Sequence, residues 1–165
     1  MADGYALEKR VWTEEDFERM GWHDARVHAF AFLPETWEFA LDIDYIFEWL
    51  DPGEVEARYS FWSAPATLVF ENVTDLRIEL EPYPDASIDG VERRDPGVPR
   101  NAAHIGKAKD WQWVLDFHQG QITFRSAGYA LYVRRDALRN TTQSLSLEER
   151  GGVSFRRGWD REAAV

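Results

Sequence analysis

Apolar residues recur at every second position over long stretches of this chain. The clearest run is WEFALDIDYIFEWL. Trp37, Phe39, Leu41, Ile43, Tyr45, Phe47 and Trp49 fall on one face, and Glu38, Asp42, Asp44 and Glu48 on the other, with Ala40 and Ile46 between. Successive strand side chains point to opposite faces, so this pattern predicts a half-buried strand; a helix would scatter the aromatics around its circumference. RVHAFAFL sets Val27, Ala29 and Ala31 against His28, Phe30 and Phe32. Both faces are largely apolar, which predicts a strand covered on both sides. ATLVFENV and DLRIELE predict two more strands with a bend or bulge at ENVTD. DWQWVLDF and ITFRSAGYALYVRR predict a hairpin about Gly120, with a bend at Gly128.

Helical signals are few. Thr13 can cap a short helix with Asp16 three residues on, Glu14 and Glu15 load its first turn, Phe17 and Met20 give it an apolar side, and Gly21 suits its end. Ser146 and Glu149 can cap a single turn late in the chain; GGVSF after it reads as a last strand and REAAV as a frayed tail. DPGEVEAR reads as a loop. Between Pro82 and Asp110 the prolines and glycines predict a short strand near Ile88–Arg93 and a mobile tip over residues 95–103. The expected fold is a single domain over residues 1–165, mainly β: an antiparallel β-sandwich or partly open barrel of about six to eight strands with a short N-terminal helix.

Composition narrows the function. The 165 residues include 30 acidic and 19 basic side chains, for a net charge of −11. Such a surface repels nucleic acid and anionic lipid, and favours solubility or a basic protein partner. No cysteine is present, which removes disulfides, thiolate metal sites and thiol nucleophiles. The N-terminus has no apolar h-region and no run is long enough to span a bilayer, so a cytoplasmic protein is expected. Eight tryptophans mostly sit at core-facing strand positions; Trp62 and Trp159 lie in less regular stretches.

Two constellations are candidates for chemistry. His23, Asp24 and His28, in GWHDARVHAF, have the residue types of a metal site or an acid–base pair. Neighbouring strand residues diverge, however, so His23 and Asp24 converge only if the backbone turns between them. Metal ligands must also meet at about 2.0–2.2 Å from one ion. The expected role of Asp24 is to accept backbone N–H bonds at a turn, and no metal or cofactor is expected. Asp42 and Asp44 share a face about 7 Å apart. No calcium-loop pattern accompanies them. With Glu38 and Glu48 they predict a solvated acidic face suited to a cationic partner. No nucleophile-elbow or phosphate-loop motif occurs.

The pattern WHDARVHAF, EFALDIDYI, ATLVFENVTDLRIE, WQWVLDF and ITFRSAGYALYVRR resembles a loosely defined group of small bacterial proteins. These have a helix, an HDA element leading into a strand, a V-x-L-x-F strand and a late I-x-F-x-S-x-G hairpin. The resemblance spans most of residues 12–135. His23, Asp24 and Ala25 match the first element, Leu68 and Phe70 the middle one, and Ser126 and Gly128 the last. This chain is longer between Pro82 and Asp110. Some of the group serve as immunity proteins of polymorphic toxin systems and many have no assigned function; no catalytic residues carry over. The resemblance implies a non-enzymatic binding protein that masks a basic toxin. The alternative is a small enzyme or ligand-binding β-protein using His23, Asp24 and His28 or the Asp42/Asp44 face.

Overall fold

The computed structural model describes residues 4–54 and 57–160. The expected frayed tail, residues 161–165, lies outside them. The described residues form ten antiparallel strands: β1 (Val11–Thr13), β2 (Ala25–Leu33), β3 (Glu38–Leu50), β4 (Ser60–Glu71), β5 (Thr74–Leu80), β6 (Ser87–Gly97), β7 (Asp110–Phe117), β8 (Gly120–Ser126), β9 (Gly128–Val133) and β10 (Leu138–Asn140). Eight have six residues or more; β1 and β10 have three each. All belong to one sheet of order β1-β9-β4-β3-β2-β6-β7-β8-β5, with β10 pairing β4 off that path, and the sheet does not close into a barrel.

The helices are short. Thr13 caps a 3-10 helix over Glu14–Arg19 through a capping box with Asp16. It ends in extended backbone at Met20, so Gly21 does not serve as a left-handed terminus. Ser146 and Glu149 form a second capping box on α2 (Leu147–Arg150), where Gly151 ends the turn at φ 77°.

The sheet folds over itself around an aromatic core. Phe39 on β3 packs against Phe124 on β8, and Phe70 on β4 against Trp113 on β7. Strands distant in the sheet order thus meet face to face. A bend at Ala127–Gly128, where Gly128 has φ 153°, lets one continuous stretch pair β7 through β8 and then β4 through β9. Ser126 holds that bend by donating from Oγ to the Glu71 carbonyl (2.7 Å).

Four local expectations are corrected. Residues 95–103 are not one loop tip: Asp95–Gly97 completes β6, and Ala102 opens helix α1 (Ala102–Ile105). Reciprocal amide bonds between Asn72 and Asn101 (3.0 and 2.7 Å) tie this segment to the β4–β5 bend. Residues 151–155 form no strand, because this segment spends its hydrogen bonds on buried side chains. Trp37 and Trp49 are exposed rather than in the core, lying past the ends of the covered part of β3. Phe30 and Phe32 are exposed as well, so β2 is not covered on both sides.

Candidate functional site

Alternation along β3 holds: Phe39, Leu41, Ile43 and Tyr45 face the core, and Asp42 and Asp44 face the other way. The expected solvated acidic face nevertheless does not exist. Asp42 and Asp44 are both fully buried, because the chain after β9 crosses the outer face of β3 and β4. That crossing segment brings two fully buried arginines. Arg150 donates to both Asp42 oxygens (Nη2 to Oδ1 2.6 Å, Nη1 to Oδ2 2.8 Å) and from Nε to Asp44 Oδ1 (3.0 Å). Arg134 donates to Asp42 Oδ1 and to Thr67 Oγ1 (2.8 Å each). The backbone N–H groups of Ser154 and Leu145 complete the two carboxylates.

His28 joins this network. A bulge between Val27 and Ala29 turns it onto the outer face, where Nε2 lies 2.7 Å from Asp44 Oδ2. Burial pushes the Asp44 carboxyl up, but the bond to His28, the His28 and Arg150 charges and the Leu145 N–H outweigh it and hold it below its usual range. The two carboxylates are closed to solvent and every one of their oxygens has a partner. The cluster staples the C-terminal segment to the sheet.

The other two carboxylates part company. Glu38 receives both terminal nitrogens of Arg157 (2.8 and 2.9 Å), and that bond holds its carboxyl low against the opposing effect of partial burial. Glu48 lies beyond a β3 bulge and lines a cleft of about 230 Å³ with Tyr5, Trp12, His23 and Trp49.

His23 and Asp24 do converge, because Asp24 adopts φ 65° and the backbone turns there. His23 Nδ1 lies 2.9 Å from Asp24 Oδ2, which also accepts from Gln143 Nε2 (2.6 Å). Asp24 N–H donates to the Ile88 carbonyl (2.7 Å). On its other side Asp24 Oδ1 is 3.9 Å from His118 Nε2, and His118 Nδ1 is 3.1 Å from Asp89. His23 therefore joins Asp24 and His118, while His28 joins Asp44. No Ser, Thr or Cys lines the cleft beside His23 among the described residues. Among the described residues no group of three or more His, Asp or Glu is arranged to hold a metal ion.

A different surface carries the unexplained features. β2 pairs with β6 only through Ala25 and Arg26, and β5 is the far edge of the sheet. The fold brings these two margins together at both ends. Val73 N–H donates to the Trp37 carbonyl (2.6 Å) at one, and Val27 N–H to the Ala86 carbonyl (2.8 Å) at the other. Between those ties no ladder joins β2 to β5 among the described residues. The gap opens as a cleft of about 320 Å³ lined by Leu33, Pro34, Trp37, Phe39, Val73 and Leu76.

Phe30 and Phe32 pair across β2–β3 with Leu41 and Phe39, both core residues, so they point to the inner face. They are exposed (37% and 57%) because no strand covers that side. Trp37, 54% exposed, holds φ 57° at the hairpin tip, a costly conformation for a bulky side chain. Tyr83 is exposed in the loop that closes the other end. The apolar character of both β2 faces was visible in the sequence. That one face goes uncovered depends on where β6 leaves β2, a long-range fact with no local signal.

Comparison with family models, curated proteins and solved structures returns no match to this chain. No helix among the described residues is long and apolar enough to cross a membrane.

Proposed function

We propose that the protein acts by binding a protein partner, and that the open margin between β2 and β5 is where it binds. One observation carries this reading: core-type aromatics, Phe30 and Phe32, face solvent at an interruption of the sheet, beside the exposed Trp37. Contiguous exposed apolar surface on a soluble protein marks a contact site, and aromatic side chains dominate binding energy at such sites. The partner is basic, matching the net charge of −11. An immunity protein that masks a toxin fits this description, with the aromatic margin taking the place of the acidic β3 face as the contact.

The test is direct. The product of the neighbouring gene should be toxic when expressed alone and neutralised by this chain. Phe32→Ser, at an exposed position, should leave the melting temperature unchanged and weaken binding by about tenfold or more in calorimetric titration. Undiminished neutralisation and affinity in Phe30→Ser/Phe32→Ser would place the contact elsewhere.

A further inference from the structure

We infer that the margin between β2 and β5 takes one extended, cationic segment of its partner, which docks as an added β-strand; this rests on the binding reading above. A strand paired on one side only directs alternate N–H and C=O groups outward, and a free edge is a template for another strand. Here there are two free edges in one window. β2 is unpaired on that side beyond Val27, and β5 pairs only with β8. The stretch His28–Leu33 measures about 20 Å at strand rise. The Trp37–Val73 and Val27–Ala86 bonds close the window at its ends. An occupant therefore enters and leaves outward, and pairs over about five or six residues.

The two sides of the window set the side-chain pattern. On the inner face Phe30 and Phe32 await apolar cover, near the half-buried Leu76. On the outer face, between His28 and Leu33, β2 offers the small Ala29 and Ala31, which pair with Asp42 and Ala40, so long side chains have room there. Three ion pairs, Glu38–Arg157, Asp75–Arg100 and Arg26–Asp85, neutralise most local charge. Of the margin's remaining charges, Glu35, Glu79 and Glu81 stand against Arg77, a balance of −2. The complementary segment alternates apolar residues inward with Lys or Arg outward. Main-chain bonds supply affinity and the alternate side chains specificity. A second copy of this chain does not fit: its own β2 is flanked by β3 and cannot enter a window tied at both ends, and it brings a charge of −11 to another −11.

A library of random dodecapeptides panned against the full chain tests this without a known partner. Enriched sequences should alternate basic residues with β-branched or aromatic ones. The synthetic peptide should slow amide exchange across residues 29–32. Methylating three consecutive peptide nitrogens, or substituting Phe32→Ser in the protein, should each weaken binding by about tenfold or more. Failure to enrich any peptide, an acidic consensus, or binding indifferent to Phe32→Ser would overturn the inference. Binding that is lost in Phe32→Ser but indifferent to N-methylation would overturn strand addition while leaving the margin as a binding surface.

Discussion

Arg150 Nη2 sits 2.6 Å from Asp42 Oδ1, and both side chains are completely buried although 108 residues separate them. The pair closes the C-terminal segment over the middle of the sheet. Arg150 reaches it from the last residue of α2, so the Ser146–Glu149 capping box that forms the turn also aims the guanidinium. Burial favours loss of the Arg150 charge, but the bonds and charges of Asp42 and Asp44 reverse that effect and raise its pKa.

Removing one partner of such a pair leaves a buried charge without compensation. Arg150→Met should cost about 3–5 kcal/mol of stability. Asp42 keeps Arg134 and Ser154, and Asp44 keeps His28 and Leu145, so the loss should stay within that range. Urea unfolding checks it; a loss below about 1 kcal/mol would mean that water reaches the cluster.

Asp44 also makes acid stability specific. Its carboxyl is held below the ordinary value of 3.8 in the folded chain. Its contribution is therefore complete above about pH 3.8 and is lost as pH falls through the lower folded value. Urea midpoints measured from about pH 6 down to pH 2 should fall less steeply in Asp44→Asn than in the wild type. Parallel curves would show that Asp44 titrates alike in both states.

Two tyrosines should be silent in an alkaline titration. Burial pushes the Tyr45 hydroxyl up to about 12, against a Gly21 N–H bond that pulls it down, and burial raises Tyr129 further. Both favour the neutral form, so their contribution is present below about pH 10 and is lost as pH rises through the folded values. Ultraviolet titration of tyrosinate should show these two of the six tyrosines ionising only as the protein unfolds. Ionisation of all six near pH 10 with retained structure would contradict the burial.

Much of this architecture is legible locally. Period two locates β3, β7 and β8, the two capping boxes are read from Thr13, Asp16, Ser146 and Glu149, and Gly128 marks the bend it makes. Asp42 and Asp44 show where that reading ends. Alternation assigns their side of the strand but says nothing of what covers it, and the cover arrives from Arg134 and Arg150 near the other end of the chain. The one sequence-level hint is that an acidic chain collects arginines at 134, 135, 139, 150, 156 and 157. The open β2 margin is less legible still, since Phe30 and Phe32 look like core residues and are exposed only because β6 diverges.

The HDA element makes a final prediction that separates backbone from side chain. Asp24 occupies left-handed space at φ 65°, which an L-residue adopts at a cost of about 1–2 kcal/mol unless it is Gly, Asn or Asp. Its carboxylate also accepts from Gln143 and faces His23. Asp24→Ala loses both the bonds and the tolerance for this backbone, and should destabilise by about 2–3 kcal/mol. Asp24→Gly loses the same bonds but relaxes the backbone, so it should be milder by about 1 kcal/mol. Asp24→Asn keeps a left-handed-tolerant residue and an acceptor for Gln143, and should be mildest of all. The order Asn, Gly, Ala in rising cost, read from denaturant midpoints, would assign Asp24 to the turn. Equal losses in Gly and Ala would show that the carboxylate alone matters, and that the turn between His23 and Ala25 is held by the Asp24–Ile88 backbone bond whatever residue stands there.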